Sequence, residues 1–181
     1  MPDIQVALLR GVNVGPNKRV RMAELRAMVE GLGYDDVQTL LNSGNVVFSS
    51  RRTAQSKTAR RIEKALETKL GVSARVIVIR AEELAAAVES NPLAEVADNT
   101  SRLLLGVMAH AADTAKLADI ARQDWGKEKL ALGPSRAFYM WMPKGVIESK
   151  LNAAVSKALG DSVTMRTWTT MVKLREMTRG K

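Results

Sequence analysis

The sequence predicts an α+β protein with two ferredoxin-like subdomains of the β-α-β-β-α-β type in one chain, followed by a C-terminal helix. Short apolar runs rich in β-branched residues, which are typical of strands, alternate with longer segments whose apolar residues recur at helical spacing. This order of elements occurs twice along the 181 residues. A duplicated architecture therefore explains the chain length better than one large sheet does.

The first half contains six predicted elements. Apolar residues at helical spacing begin at Met22 and stop before Gly33, and Gly71 closes a second helix. Because Asn and Gly tolerate positive φ, residues 42–45 are predicted to form the turn of a hairpin or a bulge. In chain order we predict a strand at 4–10, a helix at 22–32, two short strands within 37–48, a helix at 59–70 and a strand at 74–79.

The second half repeats this order after a linking helix. We predict a helix at 81–90, a strand at 102–108, a helix at 113–123, paired strands at 128–132 and 137–142, a helix at 147–159, a strand at 162–165 and a helix at 166–178. The predicted domain boundaries are 1–80 for the first subdomain, 81–102 for the linking helix and loop, 103–165 for the second subdomain, and 166–181 for the C-terminal helix and tail.

The composition excludes several kinds of site. The chain has no cysteine and one histidine, His110, so it offers no disulfide, thiolate ligand or multi-histidine metal site. We predict no metal and no cofactor. A net charge of +9 favours anionic partners, although the same charge can serve solubility alone. The N-terminus lacks the pattern of a signal peptide and no segment is apolar enough to span a membrane, so the expected location is the cytoplasm.

The loop after the first strand is the first candidate site. Arg10, Asn13, Lys18 and Arg19 offer hydrogen-bond donors for an anion near the end of a strand, and a solvated basic loop is the alternative. The glycine spacing matches neither a P-loop nor a dinucleotide fingerprint, and Pro16 lacks an N–H. A nucleotide triphosphatase is therefore disfavoured.

Two further polar segments are candidates. Ser43 and Asn45 concentrate donors and acceptors in one turn, either for a ligand or for hydrogen bonds that hold the turn. On the predicted last helix, Arg166, Thr170 and Lys173 would form one polar stripe near its N-terminus, where free N–H groups favour an anion. The alternative is an N-cap with solvated cations.

A nucleic-acid interface is the alternative interpretation of the basic charge. RNA-recognition modules of ferredoxin-like fold stack bases on aromatic residues of an open sheet. Tyr139 and Trp141 share one face of a predicted strand, and Arg51 and Arg52 lie in a basic run suited to phosphate contacts. The first strand of the chain carries no aromatic residue, so this platform is incomplete.

Almost the whole chain resembles the bacterial domain-of-unknown-function family 1697. The resemblance is carried by "VALLRGVNVG" and "LLNSGNVVF", and it continues through "YMWMPKGVIESKL" to "TMRTWTTMVKL". It implies an α+β fold with two ferredoxin-like subdomains and no established activity. The motif positions of the family fall on Arg10, Gly11, Asn13, Gly15, Ser43, Gly44, Asn45, Arg166, Trp168, Thr170 and Lys173. Pro16 stands where another glycine is common, and Thr167 and Thr169 replace two asparagines of the closing motif.

Three hypotheses about function follow, and no catalytic residue or reaction can be assigned. In the first, the three polar segments converge in a cleft between the subdomains and bind a small anionic molecule. In the second, the basic surface binds nucleic acid. In the third, the protein is an adaptor for other proteins, and the polar motifs only lock its fold.

Overall fold

The structure is a computed structural model that describes residues 1–180, which form a mixed α+β fold with six helices and two four-stranded antiparallel sheets. The strands are β1 (Asp3–Leu9), β2 (Asp35–Leu40), β3 (Asn45–Ser50), β4 (Val76–Arg80), β5 (Leu103–Met108), β6 (Lys129–Leu132), β7 (Ala137–Trp141) and β8 (Val163–Thr167). The helices are α1 (Met22–Gly31), α2 (Gln55–Leu70), α3 (Ala81–Glu89), α4 (Thr114–Ala121), α5 (Lys150–Leu159) and α6 (Trp168–Arg179). None of these helices combines the length and apolar character needed to cross a membrane.

The chain divides into two compact units. The first comprises Met1–Ala81 together with the residues from Leu174 onward, and the second comprises Glu82–Lys173. Helix α6 therefore contributes its first half to the second unit and its remainder to the first. Lys181, the end of the predicted C-terminal tail, lies outside the described residues.

The sheet of the first unit has the strand order β2-β3-β1-β4. Every neighbouring pair is antiparallel, with Ala7 of β1 opposite Val46 of β3 on one side and Val78 of β4 on the other. The apolar stripes of α1 and α2 pack on the sheet face that carries Ala7, Val46 and Val78, and Leu25 and Ile62 are fully buried there. The helical spacing seen in the sequence therefore marks the residues that close this core.

The second unit repeats this arrangement with the strand order β6-β7-β5-β8. Its core gathers Leu117 of α4, Leu151 and Val155 of α5, and the sheet residues Phe138 and Met140. Gly106 of β5 lies beneath the ring of Phe138, because a Cβ at this position would approach the ring to 2.1 Å. The order of elements in both units is compatible with two ferredoxin-like subdomains.

Three predicted helix starts are wrong by two residues or more. The first is that of α2, which begins at Gln55 and not at residue 59. Arg166 belongs to β8, where it pairs with Leu105 of β5, and α6 begins only at Trp168. The helical spacing of the apolar residues runs on into the strand, so the pattern alone cannot locate the boundary. The predicted start at Ile147 is also wrong, because α5 begins at Lys150 and Ile147 is fully exposed. The hydroxyl of Ser149 accepts the N–H of Asn152 and caps the helix there.

Candidate functional site

The loop between β1 and α1, residues 10–20, is held by the side chain of Asn13. Its Oδ1 accepts the N–H of Val20 at 2.9 Å, and its Nδ2 donates to the carbonyl oxygens of Val20 and Asn42, both at 2.8 Å. The backbone N–H of Asn13 also donates to the carbonyl of Lys18 at 3.0 Å. Because both amide hydrogens are used, the side chain closes the loop and ties it to the turn that follows β2.

The turn between β2 and β3, residues 41–44, lies against the end of β1. The N–H of Leu9 donates to the carbonyl of Gly44 at 2.8 Å. Gly44 has a φ of +84°, and a Cβ there would lie 2.8 Å from the Cβ of Leu9. The fully buried Asn45 donates to the hydroxyl of Ser43 at 2.9 Å. The turn therefore needs glycine at position 44 for two reasons: the positive φ of this residue and its close approach to β1.

The loop presents its charge through other residues. Lys18 and Arg19 in the loop, and Arg21 directly after it, are exposed, and their side chains have no hydrogen-bond or ion-pair partner within residues 1–180. Arg10 is half-buried, and its backbone N–H donates to the carbonyl of Arg75 at 2.9 Å. Among the predicted ligand-binding residues of the first unit, Asn13, Ser43 and Asn45 are positioning groups, Lys18 and Arg19 are exposed cations, and Arg10 is half-buried.

The third polar segment lies in the second unit and forms two separate arrangements. Arg166 donates through Nη1 to the hydroxyl of Thr164 at 2.9 Å and to the carbonyl of Met165 at 3.0 Å. The hydroxyl of Thr167 lies 3.0 Å from that of Thr170 and accepts the Thr170 N–H at 3.4 Å, so it caps α6. Thr170 is buried and Lys173 is exposed. The predicted stripe on one helix does not form, because Arg166 is in the strand.

The aromatic pair proposed for nucleic-acid binding is buried. Tyr139 is fully buried and Trp141 is 5% exposed. The Tyr139 hydroxyl donates to the carbonyl of Ala87 in α3 at 2.5 Å, and burial raises its pKa to about 12. Neither ring is accessible for a base to stack on, so the predicted platform is not present. Arg51 and Arg52 are exposed, but they lie in the first unit, after β3.

The second unit contains a cleft that the sequence reasoning missed. Segments 124–128 and 143–150 line an open cavity of about 790 Å³. Trp125 lines it, and so do Lys127, Lys144 and Lys150. The segments are distant in sequence and carry no shared motif, so only their meeting in the fold reveals the cavity. The lone Trp125 after a helix was the one signal present in the sequence. We call this cavity the Trp125 cleft.

Metal-binding groups do not gather in the described part of the chain. Residues 1–180 contain no group of three or more histidine, aspartate or glutamate side chains arranged to hold a metal ion. His110 is exposed two residues after the end of β5.

The sheets and helices define a class: this is a two-unit α+β protein in which each unit has a four-stranded antiparallel sheet. The sequence profile of DUF1697, a family of proteins of unknown function, matches residues 3–139. The chain belongs to the DUF1697 family. The family assignment predicted from the opening motifs is confirmed.

The fold is similar to one solved structure in particular, that of the conserved bacterial protein SP0830 from Streptococcus pneumoniae. The TM-score is 0.75 with 21% sequence identity, over 98% of this chain and 99% of that chain. At this identity the likeness shows the fold alone. Among curated proteins, none matches this chain.

Proposed function

We propose that this protein binds a small anionic molecule through the loop of residues 10–20 in its first unit. The observation that carries the proposal is the contrast within this loop between a fixed backbone and unpaired charge. Asn13 holds the backbone with three side-chain hydrogen bonds, while Lys18, Arg19 and the adjacent Arg21 remain exposed. Binding then costs little loop ordering, because the backbone is already held.

The charge of the loop favours an anion with several negative charges. No acidic residue occurs from Arg10 to Ala23, so the cations are not neutralised by neighbours in sequence. Charged hydrogen bonds from lysine and arginine to phosphate or carboxylate are stronger than neutral ones. A phosphorylated or polycarboxylate molecule therefore fits this loop better than a neutral one. In this proposal, Lys18 contacts the ligand and Asn13, Ser43 and Asn45 position the loop.

We also infer that both units are ferredoxin-like and arose as a repeat of one unit. The same element order and the same strand order in both sheets support this inference. The contribution of Arg166, Thr170 and Lys173 to ligand binding stays a prediction, as does a location in the bacterial cytoplasm.

The test is a thermal-shift measurement with inorganic phosphate and pyrophosphate. The variant carries Lys18→Gln, Arg19→Gln and Arg21→Gln. The matched control carries Lys57→Gln, Lys64→Gln and Lys69→Gln on α2, which removes the same charge from exposed positions of the same unit. Stabilisation by an anion in the wild type and the control, but not in the loop variant, supports the proposal. Equal stabilisation of all three proteins, or none in the wild type, refutes it.

A second candidate is contact with a partner protein, which a specific observation favours. Val14 is 74% exposed on the same loop, and Leu41 is 55% exposed in the turn that Asn13 ties to it. Leu41 also has a φ of +59°, which is unusual for leucine. Exposed apolar side chains beside cations suit an acidic protein surface with an apolar centre. Partner binding that Val14→Ser and Leu41→Ser abolish, with anion-induced stabilisation unchanged, would favour this candidate.

A further inference from the structure

We propose that the Trp125 cleft of the second unit is a separate binding site for a small planar aromatic anion, with the ligand ring on Trp125 and its negative charge among the lysines. Trp125 is held in a fixed position. Its Nε1 donates to the carbonyl of Ile120 at 2.7 Å, and its ring packs against the core of the unit while it also lines the cavity. An indole anchored in this way offers a flat apolar surface to a second ring.

The three lysines of the cleft are available to a ligand. Lys127, Lys144 and Lys150 are exposed, and none has a hydrogen-bond or ion-pair partner within the part of the chain that the structure describes. They come from both segments that line the cavity. A ligand with a phosphate or carboxylate group therefore meets ammonium groups that make no direct ion pair within the described chain.

Two of the three carboxylates of the cleft accept hydrogen bonds from backbone N–H groups. Asp124 accepts the N–H of Gly126 at 2.8 Å, and Glu128 accepts the N–H of Leu151 at 2.9 Å. Glu128 thus already occupies the first turn of α5, so the charge of the ligand is met by the lysines and not by this helix end. Glu148 is the remaining carboxylate of the lining. The lining carries three lysines and three carboxylates, so its formal charge is balanced, but the lysines have no partner whereas Asp124 and Glu128 already accept hydrogen bonds.

The size of the cavity also fits this class of ligand. A volume of about 790 Å³ lies within the range typical of small-molecule sites, which combine an apolar lining with a few polar groups. A small inorganic anion would use the lysines alone and leave the indole surface uncovered. A ligand with both an aromatic ring and an anionic group uses both features, as a nucleoside monophosphate does.

Adenosine monophosphate and inorganic phosphate are suitable probes, with tryptophan fluorescence and equilibrium dialysis as readouts. We expect the nucleotide to quench fluorescence and to bind at least tenfold more tightly than inorganic phosphate. The variant Lys127→Gln, Lys144→Gln and Lys150→Gln should weaken binding at least tenfold. Trp125→Leu should weaken binding and remove the quenching. The control Lys57→Gln, Lys64→Gln and Lys69→Gln carries the same charge change and should bind as the wild type does.

The two proposals fail separately in this design. The variant Lys18→Gln, Arg19→Gln and Arg21→Gln should keep nucleotide binding and quenching, because its changes lie in the other unit. The lysine variant of the cleft changes exposed side chains only, so it stays informative if Trp125→Leu does not fold. Absence of nucleotide binding, equal affinity for inorganic phosphate, or binding unchanged by the cleft lysines would overturn the proposal. If an adenylate oligonucleotide binds more tightly than adenosine monophosphate, the ligand of the cleft is the terminal nucleotide of a nucleic-acid chain, bound through the same ring and phosphate contacts.

Discussion

Replacing Asn13 with alanine removes three side-chain hydrogen bonds from the loop of residues 10–20. Two of them close the loop on Val20, and the third ties it to Asn42 in the neighbouring turn. The substitution also places alanine at a φ of +56°. The variants Asn13→Ala and Asn13→Gly separate these two effects, because glycine lacks the hydrogen bonds but adopts positive φ without strain.

The expected losses follow from these contacts. Each hydrogen bond contributes about 0.5–1.5 kcal/mol, and water can replace part of this in a half-exposed loop, so we expect Asn13→Gly to cost roughly 2 kcal/mol. The left-handed conformation costs alanine about 1 kcal/mol more. Asn13→Asp keeps the acceptor but turns a carboxylate toward two carbonyl oxygens. We expect its loss at neutral pH to match that of Asn13→Ala and to shrink as the carboxylate becomes protonated in acid.

The assay is urea denaturation followed by far-ultraviolet circular dichroism. All tryptophans, namely Trp125, Trp141 and Trp168, lie in the second unit, so their fluorescence followed in parallel reports that unit and not the loop. Asn17→Ala is the matched control. Asn17 is exposed in the same loop and its side chain has no partner within residues 1–180, so we expect a change within about 0.5 kcal/mol. If Asn13→Ala were no more destabilising than Asn17→Ala, the assigned role of Asn13 would be refuted.

Two further predictions concern stability. Gly44→Ala should cost about 2–4 kcal/mol, because positive φ and overpacking against β1 act together. Gly15→Ala, where a Cβ would meet no atom within 4 Å, should cost only the φ term, and equal losses in urea denaturation would contradict this. Tyr139→Phe should cost about 1–2 kcal/mol at neutral pH, since it leaves the buried carbonyl of Ala87 without its donor. The raised pKa of Tyr139 means that its neutral form stabilises the fold fully below about pH 10, and that this contribution is lost as the pH rises toward 12. The wild type should therefore lose more stability than Tyr139→Phe over that range, and parallel alkaline denaturation profiles would refute the assignment.

The secondary structure was largely predictable because its signals are local. The spacing of Leu25, Met28 and Val29 identifies α1, and the Asn-rich turn before β3 is where the sequence places it. The end of β8 was not predictable in the same way. Arg166 is placed in the strand by its pairing with Leu105, a residue distant in sequence, while the apolar spacing around it continues that of a helix.

The candidate site was predictable only in part. The sequence singled out the polar residues of the opening loop and of the turn as candidates, either for a ligand or for hydrogen bonds that hold the turn. Their task as positioning groups depends on partners such as Val20 and Asn42, which the pattern does not reveal. The Trp125 cleft escaped prediction because its lining comes from two segments that are unremarkable when read separately.

The amino-acid sequence by itself determined the family, the order of strands and helices, and the lack of cysteine and multi-histidine chemistry, because these depend on local pattern and composition. The tertiary structure decided which polar groups are free to bind. It engaged both amide hydrogens of Asn13, left Lys18 in solvent and covered Tyr139 with α3. The physical reason is that a donor, a charge or a ring is available to a ligand only if the folded chain does not already use it, and its partners are distant in sequence.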